Sequence, residues 1–302
     1  MHYDCAQPMR AVRFSRSIAA CLCAILIALL ACNRKNETQP DRPRLTANVT
    51  MEDITFHSAA LNRDMQYRVV LPKNIAPGAK LPTVYLLHGG GGGFRDWSNY
   101  SDVAVFAERG LILVMPEGDN SYYVNAREPP QDRYEDYIVN DLFADVDKKF
   151  SVAVGRVNRA IVGVSMGGYG AVKLAFSHPD RFVFAGGISP AIDVPSRPFS
   201  IKRIQQSRHY IAIFGDWGTV TRRKGDPFVL ARSADPAIAP YFFLSCGEQE
   251  GLLPASRNFA ALLEQRRFRY EFHAVPGGHD WNQWNKQLPS LFKSLFEHIV
   301  PN

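Results

Sequence analysis

Short apolar runs alternate with amphipathic stretches from residue 49 to residue 299, and this alternation restricts the fold more than any other feature of the chain. The runs are rich in β-branched and aromatic residues and are bounded by Gly, Pro or Asp, as buried strands usually are. They occupy residues 51–56, 66–71, 83–87, 111–115, 160–164, 182–188, 241–246 and 270–275. The helical stretches occupy residues 102–109, 134–150, 167–177, 255–267 and 288–299.

Strands that alternate with helices form a mostly parallel sheet with helices on both faces, and such a sheet binds its ligand at the carboxyl ends of the strands. The first two runs are predicted to pair antiparallel. The chain has 302 residues, of which 46% are hydrophobic, so we predict one α/β domain over residues 49–302. Residues 189–240 are rich in Arg, Pro and Asp, and we predict an irregular excursion over the ligand-binding edge.

The formal net charge of the chain is +6 at pH 7. The Lys and Arg residues are scattered among 29 acidic residues rather than collected in one stripe. Nucleic-acid binding requires such a basic stripe or patch. We therefore expect no nucleic-acid partner.

The first 32 residues differ in composition from the rest of the chain. Arg10, Arg13 and Arg16 precede an apolar and small-residue run at residues 18–31. The run is too short for a resident transmembrane helix and is typical of a signal peptide. The run ends in Leu-Leu-Ala-Cys, which resembles the bacterial lipobox. We predict that residues 1–31 are removed and that Cys32 is lipidated, whether translation starts at Met1 or at Met9.

Cleavage would remove three Arg and one Asp from the 35 basic and 29 acidic residues, which leaves a net charge of +4. Residues 32–48 are mostly polar and would form a flexible tether. We therefore expect an exported lipoprotein of the periplasm or cell envelope that meets a membrane only through its anchor. Cys246 would be the one unmodified cysteine of the mature chain, and it lies in a predicted buried strand, where Cys packs as a small hydrophobe.

Ser165 lies in the sequence Gly-Val-Ser-Met-Gly, directly after the predicted strand 160–164 and before the predicted helix 167–177. In this strand–turn–helix setting, G-x-S-x-G presents a serine hydroxyl on a strained turn, and the glycines allow the two backbones to approach. The alternative is a chance match in a glycine-rich turn, against which the setting argues. The pattern predicts Ser165 as a nucleophile.

A run of five glycines follows His88 and the predicted strand 83–87. A serine nucleophile needs two backbone N–H groups aimed at the developing oxyanion, and a glycine loop lets the main chain reach it. By position after the His-Gly pair, we predict that Gly90 supplies one donor and Met166 the other. A phosphate-cradling loop does not fit, because no Lys-Ser or Lys-Thr pair follows and the spacing of a dinucleotide fingerprint is absent.

The general base must be chosen by position among eight His residues. The order along the chain in this kind of site is nucleophile, acid, base, and His279 lies in a loop just after the last predicted strand. His273 falls inside that strand and His298 in the terminal helix, so we assign both to packing or to the surface. His178 precedes Pro-Asp at a helix end, where capping explains it, and His88 is interpreted as structural.

The acid of the site is expected after the preceding strand, residues 241–246. Glu250 lies in the loop Gly-Glu-Gln-Glu-Gly that follows, where a carboxylate could hold the second imidazole N–H and fix its tautomer. Glu248 is the nearest rival. Asp216, Asp226 and Asp235 are weaker candidates because they lie in the irregular stretch.

With these residues in place, the chain resembles the esterase D branch of the α/β hydrolases, which includes feruloyl and acetylxylan esterases, S-formylglutathione hydrolase and the mycolyltransferases. The resemblance covers about residues 66–299. It rests on the motifs at residues 88–90, 96–97, 115–118, 122–125, 163–168, 246–247, 251–253, 278–281 and 284. It implies an α/β-hydrolase fold, an oxyanion donor at Gly90 and no metal or organic cofactor. Members of the branch usually carry Asp at the acid position, and the matching residue here is Glu250.

These observations predict a serine carboxylesterase that hydrolyses an acyl ester, such as an acetyl or feruloyl ester of a carbohydrate, through an acyl-enzyme. Two alternatives stay open: an acyltransferase that passes the same acyl group to an alcohol, and a non-catalytic surface binding protein that kept the fold. Tyr123, Trp281 and Trp284 are candidates to line the substrate cleft, because aromatic faces suit sugar rings and aromatic acyl groups. Packing over the sheet edge is the alternative role for these three rings.

Overall fold

The computed structural model describes residues 40–126 and 132–299. Eight strands within these ranges form one sheet. The strands are β1 (Val49–Ser58), β2 (Arg63–Pro72), β3 (Thr83–Leu87), β4 (Ile112–Pro116), β5 (Arg159–Val164), β6 (Phe184–Ile188), β7 (Tyr241–Gly247) and β8 (Tyr270–Val275). Their order across the sheet is β1-β2-β4-β3-β5-β6-β7-β8. The pairs β1/β2 and β2/β4 are antiparallel and the other pairs are parallel. The predicted mostly parallel sheet is therefore confirmed.

The helices follow the strands in alternation over most of the described residues. They are α1 (Asp96–Tyr100), α2 (Ala104–Ala107), α3 (Tyr134–Asp136), α4 (Phe143–Lys149), α5 (Met166–Ser177), α6 (Ile204–Phe214), α7 (Val220–Lys224), α8 (Pro227–Ser233), α9 (Leu253–Gln265) and α10 (Trp281–His298). A π-helical segment, Tyr137–Leu142, joins α3 to α4.

The two faces of the sheet carry separate hydrophobic clusters because side chains alternate along each strand. In β3, Val84 and Leu86 pack into the cluster that contains α2 and α10. Tyr85 and Leu87 point to the opposite face, into the cluster that contains α4, α5 and α9. All four side chains are fully buried. Helices therefore cover both faces of the central strands, as the sequence pattern predicts.

The prediction of an irregular excursion at residues 189–240 is wrong in part, because α6, α7 and α8 lie there. Two of these helices begin at a short polar residue that caps them. Thr219 accepts a hydrogen bond from the Arg222 amide at the start of α7, and Asp226 accepts one from the Phe228 amide at the start of α8. Short polar side chains before a helix stabilise its first turn in this way.

The last helix also begins earlier than predicted, at Trp281 rather than at residue 288. Asp280 caps it by accepting a hydrogen bond from the Gln283 amide at 3.1 Å. Pro289 lies inside the helix, and an interior proline ordinarily ends one. The earlier start brings Trp281 and Trp284 onto α10, next to the loop that carries His279.

The predicted signal peptide and Cys32 lie outside the described residues. Within them, the end of the predicted tether contacts the domain: the Arg42 amide donates to Oδ1 of Asn99 at 3.1 Å, and the Arg44 amide donates to the Ser98 carbonyl at 2.7 Å. A freely moving tether would therefore have to end before Arg42. In the described part of the chain, no helix combines the length and apolar character needed to cross a bilayer.

Candidate active site

The predicted site residues follow neighbouring strands at one edge of the sheet. Gly90 comes after β3, Ser165 after β5, Glu250 after β7 and His279 after β8. These strands run parallel, so their carboxyl ends meet at the same edge. The topology thus brings together residues that are far apart in the sequence.

Ser165 lies on a tight turn between β5 and α5. Its backbone φ is 55°, a left-handed conformation that costs about 1 kcal/mol or more for a residue with a side chain. A Cβ atom at Gly163 would lie 2.2 Å from the Gly167 backbone, and one at Gly167 would lie 2.2 Å from the Leu87 carbonyl oxygen. Both glycines are therefore required for the strand and the helix to approach this closely.

A continuous chain of hydrogen bonds connects the three predicted triad residues. Oγ of Ser165 lies 2.9 Å from Nε2 of His279. Nδ1 of His279 lies 2.7 Å from Oε2 of Glu250. A carboxylate only accepts hydrogen bonds, so Nδ1 carries the proton and Nε2 is free to take one from the serine. This arrangement is that of a nucleophile, a base and an orienting acid.

Glu250 is held as an acceptor by three donors. Its side chain is 1% exposed, and besides His279 it accepts hydrogen bonds from Oγ of Ser189 at 2.6 Å and from the Gly247 amide at 2.9 Å. Burial raises the pKa of Glu250, but the bonds from His279, Ser189 and Gly247 outweigh it and hold this pKa below its ordinary value. The carboxylate is therefore ionised at neutral pH.

The rival acids lie elsewhere. Glu248 is exposed and its backbone amide donates to the Val275 carbonyl. Asp226 caps α8, and Asp235 accepts a hydrogen bond from the Ala237 amide at 2.9 Å. The structure brings Glu250, and neither of these aspartates nor Glu248, onto Nδ1 of His279.

Ser189 and Trp284 form a support for Glu250 that the sequence analysis missed. Nε1 of Trp284 donates to Oγ of Ser189 at 3.1 Å, and the Ser189 hydroxyl donates its own proton to Glu250. Ser189 has a positive φ of 47° and directly follows β6. A polar residue at the carboxyl end of the strand between β5 and β7 was the signal that could have identified it.

The two predicted oxyanion donors belong to residues that lie close together. A Cβ atom at Gly90 would lie 3.9 Å from Cβ of Met166. Met166 is the first residue of α5, so its amide has no acceptor within the helix. Within the described ranges, neither amide donates to a protein acceptor, whereas the next amide of the loop, Gly91, donates to Oδ1 of Asn120 at 2.7 Å.

His88, which is buried, and Glu117, which is partly buried, support the glycine loop. Nδ1 of His88 donates to the Gly89 carbonyl at 2.8 Å, and Nε2 lies 3.1 Å from Oε1 of Glu117. Glu117 also accepts hydrogen bonds from the amides of Phe94 and Asp119. Burial raises the pKa of Glu117, but the hydrogen bond and charge of His88 outweigh it and lower this pKa to about 2. The pair fixes the backbone on both sides of the loop.

The model of the Esterase family matches residues 58–295. The chain belongs to the Esterase family. The acetyl esterase of Caldicellulosiruptor saccharolyticus is 25% identical over 255 residues, which cover 80% of this chain and 96% of that protein. A solved ferulic acid esterase matches with a TM-score of 0.72 and 25% identity over 84% of this chain and 99% of its own. A fluorophosphonate-binding serine hydrolase of Staphylococcus aureus matches with a TM-score of 0.70 and 24% identity, covering 82% and 98%.

These similarities confirm the predicted α/β-hydrolase fold and the predicted branch of that superfamily. They also establish the class of reaction: this esterase is a serine carboxylic ester hydrolase. The alternative of a non-catalytic binding protein is therefore not supported.

Two of the three aromatic residues predicted for the substrate cleft lie in the interior of the esterase. Tyr123 is 0% exposed; its ring occupies the space left by Gly118 and Gly170, where a Cβ atom would lie 2.2 and 2.6 Å from it. Its hydroxyl donates to the His88 carbonyl at 3.1 Å. Trp284 is 7% exposed and packs edge-to-face on His279, with 4.9 Å between the ring centroids. Both rings position other residues rather than form a cleft wall.

Trp281 is partly buried and packs on aromatic neighbours. Its ring lies edge-to-face on Trp97 and Trp284, with centroid distances of 5.3 and 5.1 Å, and tilted against Tyr100. The structure thus places Trp281 over α1, in the packing role that was the alternative to the cleft. Among residues 40–126 and 132–299, no three His, Cys, Asp or Glu side chains group as metal ligands would.

Proposed function

We propose that the esterase cleaves its substrate through an acyl-enzyme on Ser165, with His279 as general base and Glu250 as the carboxylate that orients it. The observation that carries this proposal is the unbroken chain of hydrogen bonds from Ser165 through His279 to Glu250. The positive φ of Ser165 at the start of α5 adds support, because a nucleophile on such a strand-to-helix turn is the geometry of this motif.

In the first step, Nε2 of His279 takes the proton of the Ser165 hydroxyl while Oγ attacks the ester carbonyl carbon. The amides of Gly90 and Met166 bind the resulting oxyanion. The tetrahedral intermediate expels the alcohol, which takes the proton from His279, and the acyl group stays on Oγ. Water then attacks this ester, His279 again takes and returns a proton, and the carboxylic acid leaves.

The decisive test is Ser165→Ala, measured by hydrolysis of p-nitrophenyl acetate and by labelling with a fluorophosphonate probe. We expect loss of labelling and a fall in kcat of about a millionfold, to the background rate. Ser233→Ala, a surface substitution on α8, is the matched control and should keep both. Retained wild-type hydrolysis by Ser165→Ala would show that the nucleophile is another residue.

The proposed substrate is an acetyl or feruloyl ester, with a carbohydrate as the alcohol. The similarity of the chain to an acetyl esterase and to a ferulic acid esterase supports the acyl part. Rates on acetyl, feruloyl and longer-chain esters test it, and preference for the longer chains would contradict it. Product analysis with an added alcohol separates hydrolysis from acyl transfer, since both pass through the same acyl-enzyme.

The proposed enzyme is exported and lipid-anchored at Cys32. Support comes from the sequence alone: the basic start, the apolar run and the Leu-Leu-Ala-Cys ending of residues 29–32. Wild-type cells should incorporate labelled palmitate into the protein and hold it in the membrane fraction. Cys32→Ala should lose the label; if it kept the label, the anchor would lie elsewhere.

A further inference from the structure

A cavity lies beside the loop that carries His279, between α10 and the last two strands of the sheet, β7 and β8. Its volume is about 610 Å³, which is within the range of small-molecule sites, roughly 300–1,000 Å³. Phe243 and Ser245 of β7, Val275 of β8, and Lys286 and Gln287 of α10 contribute to its walls. Neither Ser165, His279 nor Gly90 lines it, so it is separate from the site described above.

Two buried polar atoms in this cavity have no hydrogen-bond partner in the described part of the chain. Ser245 is 1% exposed and Gln287 is 6% exposed. Oγ of Ser245 and Oε1 of Gln287 are both unpartnered, while Nε2 of Gln287 donates to the Gln283 carbonyl at 3.2 Å. Leaving a buried polar group unpaired costs about 1–3 kcal/mol.

The remaining walls add a positive charge and an apolar surface. Lys286 is exposed at the rim, and no described carboxylate forms an ion pair with it. The nearest acidic residue on β8, Glu271, is bonded to Nε2 of His273 at 2.7 Å. Phe243 and Val275 present hydrocarbon between these polar groups. The cavity therefore combines the Lys286 ammonium, the two unpartnered atoms and an apolar wall, and the polar side chains of His273, Gln283 and Ser290 also line it.

We infer that this cavity binds a small carboxylic acid that also carries a hydroxyl group. Its carboxylate pairs with the Lys286 ammonium. Its hydroxyl donates to Oε1 of Gln287 and accepts a hydrogen bond from the Ser245 hydroxyl. Its hydrocarbon part lies on Phe243 and Val275. Pro276 and Gly277 also line the cavity and lead directly to His279, so the bound acid contacts the loop that carries the base.

Calorimetric titration of the full chain tests this inference, after its nucleophile has been blocked with a fluorophosphonate so that the catalytic site does not compete. The probe is 4-hydroxybenzoate. Benzoate, which lacks the hydroxyl, and 4-hydroxybenzyl alcohol, which lacks the carboxylate, are the matched ligands. We expect 4-hydroxybenzoate to bind roughly tenfold more tightly than either. Absence of binding up to its solubility limit, or equal affinity for all three, would overturn the inference.

Two variants assign the contacts. Gln287→Met should weaken binding of 4-hydroxybenzoate about tenfold and leave benzoate unchanged. Lys286→Met should remove the preference for the carboxylate over the alcohol, and its exposed position makes it safe for folding. Lys293→Met, also exposed on α10, is the matched control with unchanged affinity. All three should keep wild-type hydrolysis of p-nitrophenyl acetate.

Wild-type affinity in both Gln287→Met and Lys286→Met would overturn the site. Binding to unblocked protein that disappears after fluorophosphonate treatment would do so as well, because it would locate the acid at Ser165. Failure of the proposed catalytic function would show separately, as absence of labelling, and titration of the unlabelled chain would then still test the cavity.

Discussion

The indole N–H of Trp284 donates to the Ser189 hydroxyl at 3.1 Å. This bond joins α10 to the end of β6, and the same hydroxyl donates a hydrogen bond to Glu250. Ser189 therefore connects α10 to Glu250, the proposed acid of the triad. The position of Glu250 depends on residues that never reach the substrate.

Ser189→Ala should lower kcat roughly tenfold, the effect of losing one hydrogen bond to a charged group. Without the Ser189 donor, the pKa of Glu250 should rise, because burial raises it and one opposing bond is gone. The titration profile of the Glu250 carboxyl, followed by NMR, should therefore move to higher pH while KM stays unchanged. Ser196→Ala, an exposed turn residue, should leave the profile in place; an unmoved profile in Ser189→Ala would show that Ser189 only fills space.

Glu250→Gln should lower kcat by about a thousandfold or more, since the amide cannot stabilise the imidazolium and can impose the wrong tautomer. Glu248→Gln is the matched control two residues away, and its exposed side chain predicts a wild-type rate. Steady-state kinetics on p-nitrophenyl acetate distinguishes them. The reverse result would assign the acid to Glu248.

Acid should destabilise the esterase between about pH 4.5 and pH 2. The folded pKa of Glu117 is lowered from 4.5 to about 2, so its contribution is present above the unfolded pKa and is lost as pH falls toward the folded one. The shift corresponds to on the order of 3 kcal/mol of unfolding free energy. Glu135, whose pKa is also about 2 because His178 and Lys173 outweigh burial, acts in the same direction.

Urea unfolding near pH 5 and near pH 3 measures this effect. Glu117→Gln should be less stable near pH 5 and should lose less stability on acidification than the wild type. Glu297→Gln, exposed on α10, should behave as the wild type. An unchanged pH slope in Glu117→Gln would remove the His88–Glu117 pair from the explanation.

Gly167→Ala should lose both stability and activity. The added methyl group would lie 2.2 Å from the Leu87 carbonyl oxygen and 2.6 Å from that of His88, and backbone atoms cannot give way as a flexible side chain can. We expect a loss of at least about 2 kcal/mol. Gly251→Ala meets no atom within 4 Å, so it should melt at the wild-type temperature. A matching melting temperature for Gly167→Ala would contradict the tight packing of α5 on β3.

The strands could be predicted closely because hydrophobic runs between turn residues leave little freedom. The predicted starts of β3, β7 and β8 coincide with the observed ones, at Thr83, Tyr241 and Tyr270. The positions of Ser165, Glu250 and His279 followed from them, because the carboxyl ends of parallel strands share one edge. The sequence could define where the strands lie along the chain and which loops follow them.

Side-chain destinations were harder to predict. Tyr123 looks like a cleft residue in the sequence, and only the absence of side chains at Gly118 and Gly170 makes room for its ring in the core. Trp284 was a candidate for the cleft because aromatic faces suit sugar rings, whereas the observed α10 begins at Trp281 and carries its ring into the interior. The helices α7, α8 and α10 show the same limit: Thr219, Asp226 and Asp280 cap them, and such bonds depend on local geometry rather than on hydrophobic period.

The proposed triad residues follow three different strands, so the enzyme can become active only after all three strands are in place. Ser165 is synthesised 114 residues before His279, and His279 reaches it only after β8 has paired with β7 at the far edge of the sheet. The contact between Ser165 and His279 joins distant parts of the chain, and such contacts form late because the cost of closing a long loop comes before the contacts that offset it. We therefore expect a growing or truncated polypeptide without β8 to be inactive, so that the onset of ester cleavage reports the docking of the last strand.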